Sequence, residues 1–228
     1  MADLKLLGGR VVGGHPMDYE QEIDNHGQPK LTKAGQPKMS SFFYYALPKN
    51  GSTDWRQTEW GAVIAQTAQQ AWPGGQTQYP DFAWKVLDGD SPAPLKGGKP
   101  APNTREGWPG HWVLRMATGF PVKCYPAGKF DPFDQIQDKN AIKCGDYGGV
   151  FATVDGNGQS DNPGVYINPV YFILDRAGEL IVTQSGPSAA EVFGGMAQQQ
   201  AATPPPPQQQ QAATPPPPQQ QQAATPPP

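Results

Sequence analysis

The 228 residues carry 17 Lys and Arg against 20 Asp and Glu, a formal net charge of −3 with a pI near 5.6. That balance excludes a chain that binds anions through bulk charge, so an anionic partner must be met by a local patch. No apolar run approaches the ~18 residues of a membrane helix, and Met1-Ala2-Asp3-Leu4-Lys5 lacks the basic and apolar stretches of a signal peptide.

The opening run, Lys5 to Gly14, reads as a strand pair of apolar residues bent by Gly8-Gly9 and Gly13-Gly14. Asp18 to Pro37 is polar and reads as an exposed loop or arm. It contains Gly27-Gln28-Pro29-Lys30 and again Gly35-Gln36-Pro37-Lys38, a duplication that the sequence alone does not separate from chance. Ser41–Leu47 is aromatic enough for a strand. A helix follows, because Trp60, Val63, Ile64, Ala68 and Ala71 recur at helical spacing. Asp54 and Gln57 resemble its capping box, and Trp72-Pro73-Gly74-Gly75 stops it.

Phe82–Leu87, His111–Thr118 and Pro121–Tyr125 read as strands, with Ser91–Gly110 a long loop. In the second, Trp112, Leu114 and Met116 alternate with Val113 and Arg115, as in a half-buried strand. Asp131-Pro132 starts a short helix to about Lys139. Asp146–Val154 and Val165–Leu174 are further strands, joined through the turn residues Asp155-Gly156-Asn157-Gly158. Glu179–Thr183 is a last short strand, and Ser185-Gly186-Pro187 opens a small helix ended by Gly194-Gly195. From Ala201 an eleven-residue unit, Ala-Ala-Thr-(Pro)4-(Gln)4, recurs at Ala212 and is cut short from Ala223. It holds no apolar set able to offset its ordering entropy. The expected organisation is a domain over residues 1–183, a short helix and hinge over 184–195, and a disordered Pro/Gln tail over 196–228. Many strands with few helices make the fold class mainly β, a small sandwich or barrel.

The enzyme signals are weak. Asp155 to Asp161 is similar to a calcium loop, but Ser160 stands where Gly is needed and Tyr166 where Glu is needed. Cys124, Cys144 and His111 fit no common zinc spacing, so the cysteines read as reduced thiols. The glycines near the start make no phosphate loop, since no Gly-Lys-Ser/Thr follows. Asp88-Gly89-Asp90 reads as a solvated turn. The stronger signal is aromatic and basic residues interleaved on strands. Trp84, Tyr125, Tyr147 and Tyr166 are stacking candidates, and Lys85, Arg115, Lys123 and Lys143 are phosphate candidates. Single-strand binding needs this pairing, because rings stack on bases of any sequence while cations follow the phosphates. Lys123 and Tyr125 should share a face, as should Tyr147 and Phe151, while Trp112 and Phe172 belong to the core.

Longer runs carry a resemblance. They include Leu7-Gly8-Gly9-Arg10-Val11-Val12, Thr53-Asp54-Trp55-Arg56-Gln57-Thr58-Glu59-Trp60-Gly61 and Pro80-Asp81-Phe82-Ala83-Trp84-Lys85. Asp88-Gly89-Asp90, Gly107-Trp108-Pro109-Gly110-His111-Trp112-Val113 and Lys143-Cys144-Gly145-Asp146-Tyr147 continue it. Pro163-Gly164-Val165-Tyr166-Ile167-Asn168-Pro169 and Gly186-Pro187-Ser188-Ala189-Ala190-Glu191-Val192-Phe193-Gly194 complete it. In this order the chain resembles the single-stranded DNA-binding proteins of tailed phages and prophages. The resemblance implies an OB-fold-like Greek-key barrel with one or two accessory helices, binding oligonucleotides on one open face. It implies a protein that coats single strands in phage replication or recombination, without chemistry or a cofactor, in the cytoplasm of a bacterial host. Single-stranded DNA is the expected partner; replication proteins and a second copy are further candidates, and a membrane is not. One departure stands out: such binders commonly end in an acidic tail, and residues 196–228 hold no charged side chain. Two alternatives stay open, a metal-dependent nuclease using Asp88, Asp90 or Asp146 and a structural phage protein with the tail as stalk.

Overall fold

The computed structural model describes residues 1–182, apart from 25, 159 and 160. Seven strands form one sheet: β1 (Ala2–Gln21), β2 (Met39–Pro48), β3 (Val86–Asp88), β4 (His111–Thr118), β5 (Lys123–Pro126), β6 (Tyr147–Gly156) and β7 (Val165–Arg176), in the order β3-β4-β2-β1-β6-β7-β5. One helix, α1 (Glu59–Ala71), packs against it. All pairs are antiparallel except β5 with β7. β4 also touches β7, which closes the sheet around its core. This is the mainly β barrel that the residue pattern allowed and the OB-fold-like form that the resemblance implied.

The opening residues form a single 20-residue strand rather than a strand pair. Its first half pairs with β6 and its second half with β2. Bulges between Leu6 and Gly9 and between Val11 and Gly13 bend it so that both ladders are served. Tyr45 pins the bend. Its buried hydroxyl donates to the Gly148 carbonyl at 2.6 Å and accepts from the Gly9 amide at 3.0 Å. A Cβ at Gly9 would lie 2.5 Å from the Tyr45 ring, so the position must be glycine for the hydroxyl to reach.

Alternation fills the barrel. Leu4, Leu6, Phe43, Tyr45, Leu47, Trp112, Leu114, Met116, Val150, Ala152, Val154, Ile167 and Phe172 point inward. Trp112 and Phe172 are thus core, as expected. Ile64, Ala68 and Trp72 bring α1 onto the same cluster, and the Trp72 indole donates to the Gly164 carbonyl at 2.9 Å.

Several expected elements differ. Asp54 caps a short 3-10 turn, Trp55–Gln57, while Thr58 caps α1 by accepting from the Gly61 amide. The capping box was therefore read one element early. Of the Phe82–Leu87 run only Val86 and Leu87 are strand, in β3, because Lys85 takes a left-handed φ of 62° that breaks the ladder. Asp131 caps three residues of 3-10 turn, and a second such turn sits at Lys139–Ala141, so no continuous helix forms there. Residues 179–182 are irregular; Ile181 anchors them by its amide to the Cys144 carbonyl and by its buried side chain. The small helix expected after Ser185, the hinge and the tail lie outside the described residues.

The two copies of the duplicated run after β1 form the same turn. Asp24 and Thr32 each accept the amide four residues on with a side-chain oxygen, at Gln28 and Gln36. The backbone amides of Asp24 and Thr32 donate to those same two carbonyls. Gly27 and Gly35 supply matching φ values of 77° and 75°. The amides of Lys30, Lys38 and Glu22 donate to Glu22, Lys30 and Lys38 in a closed ring of 2.7 to 2.9 Å bonds. Both lysine ammoniums then meet the Glu22 carboxylate, at 3.4 and 3.0 Å. Burial raises the Glu22 pKa, but the Lys38 and Lys30 charges outweigh it and hold the carboxyl below its ordinary value.

Candidate nucleic-acid interface

What the barrel's alternation turns inward is apolar; two parts of what it turns outward combine aromatic and cationic residues. On β2 and β4 the outward residues are Phe42, Tyr44, Ala46, Val113, Arg115 and Ala117. Arg115 is in register with Tyr44, and its guanidinium lies 5.3 Å from the Phe42 ring centre. Arg105, from the loop before β4, lies 5.7 Å from the Tyr44 ring and 4.4 Å from Trp108. Phe42 and Tyr44 meet edge to face at 5.0 Å. The Lys85 carbonyl accepts the Arg115 amide at 2.8 Å. Burial, and then the positive Arg115, push the Lys85 pKa below the usual lysine value.

The loop 91–110 is not all free surface. Trp108 folds back onto the sheet with Val12, Ala46, Val113 and Ile181, and its indole donates to the Val12 carbonyl at 3.3 Å. Tyr44 packs under the same cover, its ring 5.0 Å from that of Trp108, so Phe42 and Arg115 form the more open part of this side, with Arg105 at its rim.

A second outward surface lies across β1, β6, β7 and β5. Lys5 pairs with Phe151, Phe151 with Tyr171, and Tyr171 with Lys123. Phe151 and Tyr171 have ring centres 6.1 Å apart, and Tyr125 lies 6.2 Å from Tyr171. Between the two surfaces, Arg10 and Arg176 approach the Tyr147 ring at 5.8 and 4.0 Å.

The expected site residues therefore fall into separate places. Arg115 and Lys85 meet on the β2–β4 side. Lys123 and Tyr125 meet on β5, although Tyr125 is 9% exposed and serves as backing for Tyr171. Tyr147 shares the outer face with Phe151, and its ring is taken by two guanidiniums. Lys143 lines a cleft of about 210 Å³ with His15, Asp18, Lys139, Asn140 and Ile142, below the ~300 Å³ at which small-molecule sites begin. Tyr166 is exposed at the start of β7, opposite Asp155. Trp84 sits apart in an aromatic cluster with Phe82 at 4.5 Å and Trp55 at 5.2 Å, under Arg56. Phe42, Tyr44, Arg105, Lys5 and Tyr171 were missed. Tyr171 was hidden by a bulge. Phe151 faces Tyr171 while Ala152 faces Pro169, so one extra residue swaps the parity of β7 between Ile167 and Phe172, both inward.

The charge distribution agrees with the geometry. None of the ion pairs among the described residues takes Lys5, Arg10, Lys85, Arg105, Arg115 or Lys123. The carboxylates are used elsewhere. Lys49 places its ammonium between Asp88 and Asp90, where a metal would have to sit. Asp146 is buried and accepts the amides of Lys143 and Gly178, at 2.8 and 2.9 Å. Among the described residues no three of His, Cys, Asp and Glu gather into a metal-binding group. Cys124 and Cys144 are free, and burial pushes their thiols up to about 12 and about 11. No described helix is long and apolar enough to cross a membrane.

No protein-family model matches the chain, and no curated protein does. Solved structures do. The single-stranded DNA-binding protein from bacteriophage Enc34 is similar over 84% of this chain and 89% of its own, at a TM-score of 0.53 and 10% identity. The same phage protein in complex with ssDNA matches over 78% and 88%, at 0.51 and 12%. Gp2.5, a single-stranded DNA-binding protein encoded by bacteriophage T7, matches over 81% and 94%, at a TM-score of 0.42 and 11% identity. At such identities the likeness to the Enc34 protein is one of fold. Its source is nonetheless the kind of protein that the residue runs resemble.

Proposed function

We propose that the chain is a sequence-tolerant single-stranded DNA-binding protein that holds the strand against the outer face of β2 and β4. The observation that carries this is Arg115, unpaired with any described carboxylate, in register with Tyr44 and stacked on Phe42, with Arg105 and Lys85 beside it. Rings supply stacking worth roughly 1–3 kcal/mol per base, and cations supply phosphate contacts. OB-folds bind oligonucleotides on one open strand face, which supports an outer-face site here. The fold neighbours bind single-stranded DNA by their own descriptions, which supports the same ligand here.

On this reading the protein coats and protects single strands during phage replication or recombination, in the cytoplasm of an infected host. It does so without a cofactor and without catalysis. The rival nuclease would need Asp88 and Asp90 free for a metal, and Lys49 occupies both. The uncharged tail would act as a spacer or as a polyproline ligand for a replication protein. Fluorescence anisotropy of labelled oligo-dT tests the reading. Binding that weakens steadily as salt rises is expected. Absence of binding at low salt would sink it, and cleavage of the oligonucleotide with magnesium would favour the nuclease.

A further inference from the structure

The surface made by β1, β6, β7 and β5 has no role in that account, yet it is built to the same chemistry. Lys5, Phe151, Tyr171 and Lys123 are consecutive cross-strand partners, so two rings lie in line between two lysines. Neither lysine has a carboxylate partner among the described residues. Of the flanking outward rows, Leu7 beside Gly149, then Ile173 and Tyr125, adds no acid, while Asp3, Thr153 and Asn168 bring one exposed carboxylate, Asp3, to the Lys5 end. Tyr171 is 37% exposed, and it faces outward only because the β7 bulge at Pro169 re-aims it. An apolar protein partner would not call for a cation at each end of the row. A strand of alternating bases and phosphates does.

We propose that this row is a second single-strand contact, separate from the β2–β4 face, that takes the continuation of a bound oligonucleotide and enlarges the site. β1 links the two surfaces, since its halves pair with β6 and β2, and Arg10, Tyr147 and Arg176 lie between. This inference rests on the single-strand reading above. It adds to it a prediction about length: short oligonucleotides fill the β2–β4 face alone, and longer ones gain affinity by reaching the row.

Two double variants of the full chain test it against an oligo-dT length series. F151L/Y171L keeps apolar bulk and removes the ring faces. K5Q/K123Q changes only exposed side chains, so it decides the matter should the first variant fold poorly. Both should bind the shortest competent oligonucleotide as the wild type does. On long oligonucleotides F151L/Y171L should lose about 5-fold or more, the lower bound for one stacked base. K5Q/K123Q should lower the slope of log affinity against log salt by about 1.4, at ~0.7 per cation on single strands. Wild-type affinity for long oligonucleotides in both variants would overturn the proposal. So would an equal loss on the shortest oligonucleotide, which would make the row the primary site. A wild-type chain that binds no length at all would overturn the single-strand reading itself, and the row with it.

Discussion

Replacing Arg115 by Gln is the sharpest test of the β2–β4 face. The side chain is exposed, has no ion pair among the described residues, and touches Phe42 from outside. Its backbone stays in the ladder, so stability should change by no more than about 0.5 kcal/mol. Removing a positive neighbour also relieves Lys85. If the guanidinium neutralises one phosphate, the salt slope on single-stranded DNA falls by about 0.7. Referred to 1 M salt, that slope makes the variant about 5-fold weaker at 0.1 M and about 2-fold weaker at 0.3 M. The loss should therefore shrink with salt while the melting temperature holds. Anisotropy titrations with oligo-dT across a salt series, beside a thermal melt, read both. A loss that is the same at every salt concentration would refute the phosphate contact, as would no loss at all.

Other outcomes follow from the same structure. Tyr45→Phe strips the Gly9 amide of an acceptor and the Gly148 carbonyl of a donor inside the barrel. Stability should fall by about 1–3 kcal/mol, seen as a lower midpoint in chemical denaturation; an unchanged midpoint would contradict the pinning role. Glu22 has a pKa held below its ordinary value in the fold, so its stabilisation is present above that value and is lost as pH falls through the lowered one. Amide protection of Lys30 and Lys38 should drop selectively in acid, measured by hydrogen exchange against the barrel strands. Deleting residues 196–228, which hold no charged side chain, should leave oligo-dT affinity nearly unchanged; a large gain would show that the tail competes for the DNA surface.

Strand alternation carried most of the fold, because burial enforces it. His111–Thr118 was legible to the residue, with Trp112, Leu114 and Met116 inward and Arg115 outward. What failed were features that one residue decides. Lys85 breaks a ladder by its positive φ, which nothing in its side chain announces. The bulge in β7 turned Tyr171 outward beside Phe151, where unbroken alternation from Ile167 would have buried it. The capping signal at Asp54 was real but served a 3-10 turn, with Thr58 capping the helix. Among the candidate site residues, Arg115, Lys123 and Tyr125 lie on strands as read, while Lys85 lies just before one. Lys5, Phe42 and Tyr44 needed the register, because a ring or cation joins a patch only through its cross-strand neighbours. Trp84 shows the converse: a Trp beside a Lys on one predicted strand belongs instead to the Trp55 cluster.

The most direct test of the central claim sets a single strand against its own duplex. Anisotropy at low salt with a labelled oligonucleotide, alone and annealed, compares the two ligands on one protein sample. The account expects tighter binding to the single strand, since only unpaired bases can lie on Phe42 and Tyr171. Equal affinity for both, or preference for the duplex, would reduce the outer face to a generic cationic surface and contradict it.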